Sequence, residues 1–247
     1  AASDVYKRQI VHLLIDNSNT LTKFALDLGG ELSEWRGVIA TSDLSKTSIQ
    51  NTLHSQTFER ITLCSVVPDS TILIKTIFDQ PIHHISHQSK MPITIDYPNP
   101  SKIGADRLAN ASAAILDRQG PAIVIDFGTA VTFDVISKIG SYLGGVIAPG
   151  TASLRDYLHQ KTALLPAIQL EEPNSIIGRS TEEAMQVGAV IGYRGLIREI
   201  LSELRRELGG TPTILATGGD AELIGKGISD IDIIDQDLTM KGIQIIG

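Results

Sequence analysis

The sequence predicts an α/β protein made of two similar halves, each a mixed sheet flanked by helices. Two repeated strand pairs and an alternation of strands with helices predict it. In the first pair, Leu13-Leu14-Ile15-Asp16 is an apolar run that ends in an aspartate, and after Asn17-Ser18-Asn19-Thr20 a second run continues from Leu21 to Leu26. In the second pair, Ile123-Val124-Ile125-Asp126 ends the same way, and after Phe127-Gly128-Thr129 the run Ala130 to Asp134 follows. Each reads as two strands joined by a tight turn. The remaining segments alternate between short β-branched runs and longer stretches of helical period, the pattern of layered α/β domains.

The turns carry the chemistry. Asp126 is expected at the end of its strand, aimed into the turn, and a small residue such as Gly128 lets backbone N–H groups approach an anion. A carboxylate, exposed amides and a hydroxyl suit a metal-bound phosphate. An ordinary hairpin with a solvated aspartate gives the same local pattern. The duplication favours the first, since two such hairpins facing across a central cleft would hold nucleotide phosphates and a cation between Asp16 and Asp126.

Composition narrows the class. The chain has 247 residues, 42% of them hydrophobic and 20% charged, ordinary proportions for a globular protein. A formal net charge of -7 argues against a nucleic-acid partner, which needs a basic face. No apolar run approaches the roughly 20 residues of a membrane-spanning helix. Cys64 is the one cysteine, which excludes a disulfide framework within the chain and a cysteine-rich zinc site, and fits a reducing cytoplasm. Nothing reads as a signal peptide. Ala1 to Gln9 do not lead into the strand at Val11 and read as a non-native scar. The expected halves are therefore residues 10–118 and 119–247.

In chain order, Glu34 to Ala40 reads as a third strand. Ser42 to Thr57 reads as a helix with Leu44, Ile49 and Leu53 on its apolar face, Arg60 to Val67 as a strand ending before Pro68, and Ser70 to Phe78 as a helix. His83, His84 and His87 match no standard metal spacing and read as a short strand and loop. This is the β-β-β-α-β-α-β order of a ribonuclease-H-like half. Two prolines then hold Tyr97-Pro98-Asn99-Pro100 extended, and a helix begins near Gly104-Ala105 and stops before Gly120-Pro121. Asp106 suits the first turn of that helix, but Arg107 does not, because a cation is unfavourable at a helix N-terminus. An adjacent acid and base could instead receive a substrate, Arg107 pairing a carboxylate and Asp106 accepting a hydroxyl proton.

The second half repeats the plan. Tyr142 to Gly150 is a glycine-punctuated strand, and a helix is expected from Thr151 to Gln160. Ser180 to Glu183 has the capping-box pattern and opens a long helical stretch ending at Gly209-Gly210. Gly188, Gly192 and Gly195 share one face of it, and glycine inside a helix costs about 1 kcal/mol against alanine, so a closely packed helix is expected there, in this chain or across a dimer. Thr213 to Thr217 is a strand running into the turn Gly218-Gly219-Asp220.

Taken together, these motifs resemble the type III pantothenate kinases of the acetate and sugar kinase, heat-shock chaperone and actin superfamily. The resemblance runs from about Ile10 to Gly247. It rests on Asp16-Asn17-Ser18-Asn19-Thr20 through Lys23, on Tyr97, Asn99-Pro100 and Gly104-Ala105-Asp106-Arg107, and on Asp126-Phe127-Gly128-Thr129-Ala130. Gly144-Gly145 with Pro149-Gly150, Thr181, and Thr217-Gly218-Gly219 complete the ordered set. Ser18 departs from the pattern, standing where most members have glycine, and Leu21 stands where many have arginine. If position 18 requires φ > 0, serine costs about 1 kcal/mol or more there, although its hydroxyl could contact phosphate.

The resemblance implies a duplicated ribonuclease-H-like, actin-like ATPase fold: two mixed sheets flanked by helices with a central cleft. It implies ATP-dependent phosphorylation of pantothenate to 4'-phosphopantothenate, the first step of coenzyme A synthesis. Asp106 would be catalytic, and Tyr97, Gly104, Ala105, Asp106, Arg107 and Thr181 would hold pantothenate, Thr181 from a neighbouring subunit. Asp16, Asn17, Ser18, Asn19, Thr20, Leu21, Thr22, Lys23 and Thr129 would bind ATP. Asp126 would hold potassium or ammonium, with magnesium arriving on ATP. A cytoplasmic homodimer is expected. Another small-molecule kinase of the superfamily, or a non-catalytic regulator, is the alternative.

Overall fold

In the computed structural model the described residues are 10–116 and 120–247. The expected scar at Ala1 to Gln9 lies outside them. Two compact units form. The first takes the chain up to Met91 together with Asn99–Ala113 and Thr239–Gly247, and the second takes Pro92–Pro98 and Ala114–Leu238.

The chain opens with β1 (Val11–Asn17), β2 (Leu21–Leu28) and β3 (Leu32–Ala40), then α1 (Lys46–Leu53), β4 (Arg60–Ser65), α2 (Pro68–Ile77) and β5 (Ile82–His84). This is the element order read from the sequence. Helix α1 is shorter than expected, because Ser45 caps it. The Ser45 hydroxyl accepts from the Ser48 amide at 3.1 Å, and the Ser48 hydroxyl accepts from the Ser45 amide at 2.9 Å. Thr41–Asp43 form a separate 3-10 turn. Strand β4 stops at Ser65, whose hydroxyl accepts from the Val67 amide at 3.2 Å and turns the chain into α2, with Pro68 in the first helical turn.

The first sheet has the order β3-β2-β1-β4-β5, with β1 antiparallel to β2 and parallel to β4. Alternation along its strands divides the side chains between two cores. Leu13, Ile15, Phe24, Leu26, Ile61 and Leu63 pack with Ile49, Leu53 and Ile74 of α1 and α2. Leu14, Ala25 and Cys64 face the opposite way, onto Ala105, Ala109, Met240, Ile243 and Ile246.

Short β6 (Thr94–Ile95) precedes α3 (Ala105–Ile115), the helix expected after the two prolines. Then come β7 (Ala122–Phe127), β8 (Ala130–Ile136), β9 (Ser141–Pro149) and α4 (Thr151–Lys161). The stretch expected as one long helix is α5 (Thr181–Val187), a π-helical turn (Gly188–Gly192) and α6 (Tyr193–Leu208). Its capping box is one-sided: Ser180 accepts from the Glu183 amide, but the Glu183 carboxylate takes the Arg179 amide instead. After β10 (Thr213–Thr217) a second π-helical turn spans Ala221–Gly225, and β11 (Ile233–Ile234) and α7 (Leu238–Ile246) close the chain.

The second sheet has the order β11-β10-β7-β8-β9-β6. Strand β7 is antiparallel to β8 and parallel to β10, so the arrangement of β1, β2 and β4 is repeated. Ile123, Ile125, Phe127, Val131 and Phe133 present one face to Tyr193, Ile197 and Leu201 of α6. A Cβ on Gly188, Gly192 or Gly195 would meet no atom within 4 Å among the described residues, so none of them packs directly on these glycines.

Candidate active site

The candidate residues fall into two sets, one in each unit. In the first unit Asp16 is buried at the end of β1, opposite Lys23 of β2 and beside Cys64 of β4. The turn that follows is held from inside. The Asn17 side-chain amide donates to the Thr22 hydroxyl at 2.8 Å, and Ser65 donates to the Asn17 carbonyl oxygen at 2.7 Å. The Thr41 hydroxyl donates to the Ser18 carbonyl at 2.8 Å. Asn17 and Thr22 are buried, so their side chains shape the turn, whereas Asn19 and Thr20 stand exposed at its tip and Leu21 and Lys23 are half-buried.

The strain considered at Ser18 does not arise, since no described non-glycine residue has positive φ. Its amide and hydroxyl both donate to the Leu21 carbonyl, at 3.1 and 2.9 Å. The hydroxyl thus closes the turn.

In the same unit Gly104, Ala105, Asp106 and Arg107 start α3. A Cβ at Gly104 would collide with the Asp106 carboxylate, so glycine leaves that carboxylate its place. One Asp106 oxygen accepts from the Arg107 amide at 2.8 Å. Burial raises the Asp106 pKa, opposed by the Arg107 amide and guanidinium. A carboxylate raised in this way is a better proton acceptor than an ordinary aspartate.

In the second unit Asp126 is the penultimate residue of β7, opposite Thr132 and beside Thr217 of β10. Gly218 has φ +95°, and a Cβ there would lie 2.6 Å from an Asp126 carboxylate oxygen and from the Phe127 backbone. Only glycine permits both the turn and the contact. Gly150 likewise packs on the Gly128 and Thr129 carbonyls. Tyr97 is partly exposed, packs edge-on to Tyr142 at 6.2 Å between ring centroids, and covers Gly144. Thr181 lines a cavity of about 600 Å³ with Leu158, Leu165, Ile168 and Met185.

Among the described residues no three His, Cys, Asp or Glu side chains gather as a metal site, the histidines near β5 included. No helix among them is long and apolar enough to cross a membrane.

Comparison with known proteins decides the family. The profile of the type III pantothenate kinases matches residues 12–203. The type III pantothenate kinase of Akkermansia muciniphila is 50% identical, the alignment covering 96% of this chain and 98% of that one. The enzyme of the same name from Methylacidiphilum infernorum is 42% identical over 95% of this chain and 87% of its own. The chain belongs to the type III pantothenate kinase family.

Solved structures extend the likeness of fold beyond the family. MreB 5 of Spiroplasma citri bound to AMPPNP superposes with a TM-score of 0.54 at 10% identity, covering 96% of this chain and 95% of the other. The polyphosphate/ATP-glucomannokinase of an Arthrobacter strain gives 0.52 at 15% identity, with coverages of 96% and 97%. The fold is that of the actin-like and sugar-kinase ATPases. Thr151 and Asp220 adjoin the Asp126–Thr129 segment, but sequence reasoning does not select them, because they are 69 residues apart.

Proposed function

We propose that this type III pantothenate kinase family member uses ATP to phosphorylate the primary hydroxyl of pantothenate, giving 4'-phosphopantothenate for coenzyme A synthesis. The match to family members across nearly the whole chain carries this reading. Asp106 is the group that orients and deprotonates the attacking hydroxyl, and its raised pKa suits that work. Gly104, Ala105, Arg107 and Tyr97 hold pantothenate, with Arg107 offering a fork to its carboxylate. Asp16 and the segment through Lys23 take the phosphates of ATP, with Thr129.

Phosphoryl transfer depends mainly on positioning and charge neutralisation. When bound, magnesium on ATP and a potassium or ammonium ion at Asp126 supply positive charge that a site without a lysine-bearing Walker loop lacks. The neighbourhood suits a hard cation: the Asp126 carboxylate, the Thr129 hydroxyl and peptide carbonyls are all oxygen donors. Thr181 reaches substrate from a second copy of the chain, so the working form is a homodimer. The open glycine face of the second unit offers a surface for pairing. Buried, reduced Cys64 fits a cytoplasmic enzyme.

The test is pantothenate-dependent turnover of ATP when sodium is replaced by potassium or ammonium at constant ionic strength. Turnover should rise strongly, and Asp126→Asn should weaken that response more than Asp16→Asn does. Equal rates in all three salts would remove the monovalent ion from the account.

A further inference from the structure

Within the second unit, Phe127-Gly128-Thr129 sit inside a closed ring of hydrogen bonds. The Asp220 amide donates to the Phe127 carbonyl at 3.3 Å, and the Gly150 amide donates to the Thr129 carbonyl at 3.2 Å. Thr151, which follows Gly150 and opens α4, donates its hydroxyl to the Asp220 carboxylate and so joins the two ends. Tyr193 steadies the outer side by donating to the Pro149 carbonyl at 3.0 Å.

Thr151 is 2% exposed, the contact is partly buried, and its acceptor is a carboxylate. Such hydrogen bonds are stronger than neutral ones. Gly218 and Gly150 bring the two flanking turns against the segment so closely that neither could carry a side chain. The Thr151–Asp220 bond links those turns through side chains.

We infer that Asp220 and Thr151 are positioning residues that clasp the Asp126–Thr129 segment in the shape that receives nucleotide phosphates. The inference rests on the proposed role of that segment and adds two residues that act through it. The carboxylate acts as an acceptor to Thr151. Its influence therefore falls on nucleotide use and spares pantothenate.

The test compares the full chain with Asp220→Ala, Thr151→Val, the double variant and Asp220→Asn. Asp220→Ala and Thr151→Val should each raise the KM for ATP about tenfold, with the KM for pantothenate within about twofold. The double variant should be no worse than either single one, because both remove the same contact. Asparagine keeps an acceptor oxygen and should recover most of the loss. Unchanged ATP KM, additive effects, equal shifts in both KM values, or an Asp220→Asn defect as large as that of Asp220→Ala would each overturn the clasp. If the unaltered chain does not phosphorylate pantothenate, the substrate reading fails. Calorimetric Kd values for a non-hydrolysable ATP analogue across the same proteins then decide the clasp alone: a non-additive loss supports it and unchanged binding overturns it.

Discussion

Ser18 shows how a single position can mislead. A glycine in a phosphate turn suggests positive φ, and serine in its place suggests strain. The turn avoids both, because the Ser18 amide and hydroxyl converge on the Leu21 carbonyl. Its place in the turn was legible in the sequence, but not which partner its hydroxyl takes. Asp106 was legible from its pairing with Arg107, which fits a helix start poorly. Its burial was not legible, since that depends on the packing of the first unit around α3. The raised pKa has a consequence for stability. A carboxyl whose folded pKa lies above its unfolded value stabilises the fold below the unfolded value, and that contribution is lost as pH rises through the folded pKa. Above its folded pKa the ionised Asp106 therefore works against folding. Asp106→Asn should lower turnover by about 10²-fold or more while its Tm at pH 7 is no lower than that of the wild type. In the wild type, turnover should fall on the acid side around a pKa above the ordinary aspartate value of 3.8. Undiminished turnover in the variant would remove Asp106 from catalysis.

At the scale of elements, strands and hairpins were the most legible, because β1 and β7 are short, nearly continuous apolar runs, buried on both faces, that run into a tight turn just after an aspartate. Helix α1 was overextended because its cap lies in a serine-rich run, where several residues could serve. The stretch from Thr181 to Leu208 was legible as helical, but not as two α-helices joined by the π-helical turn Gly188–Gly192. One extra residue per turn leaves no mark in a pattern of small side chains. That turn also gives a prediction about assembly. Glycines at 188, 192 and 195 leave open space on one face, and a helix from a second copy can approach there closely. Light scattering should show a two-fold homodimer. Gly192→Leu, whose Cβ would meet no described atom within 4 Å, should yield a folded monomer. A wild-type monomer with full activity would end this account of assembly.

On the scale of the whole molecule, the repeat of Ile-Asp hairpins revealed the duplication. Both sheets carry an antiparallel hairpin whose first strand has a parallel neighbour on its other side, β4 for β1 and β10 for β7. The course of the chain between the units was less legible. The last residues, Thr239–Gly247, join the first unit, and the packing of Met240, Ile243 and Ile246 on Leu14 and Cys64 is non-local in sequence. No local period reports such a return. The residues proposed for the site also divide along the chain, with Asp16 and Asp106 in the first unit and Asp126 and Thr181 in the second. The claim that joins them is chemical: with ATP, this chain phosphorylates pantothenate. The most direct measurement incubates it with pantothenate, magnesium-ATP and potassium and follows product by mass spectrometry, with a hexose as the competing acceptor. Phosphopantothenate forming in step with ADP, and no phosphorylated hexose, is the expected result. ADP without phosphopantothenate, or phosphate transferred to the hexose, would contradict it.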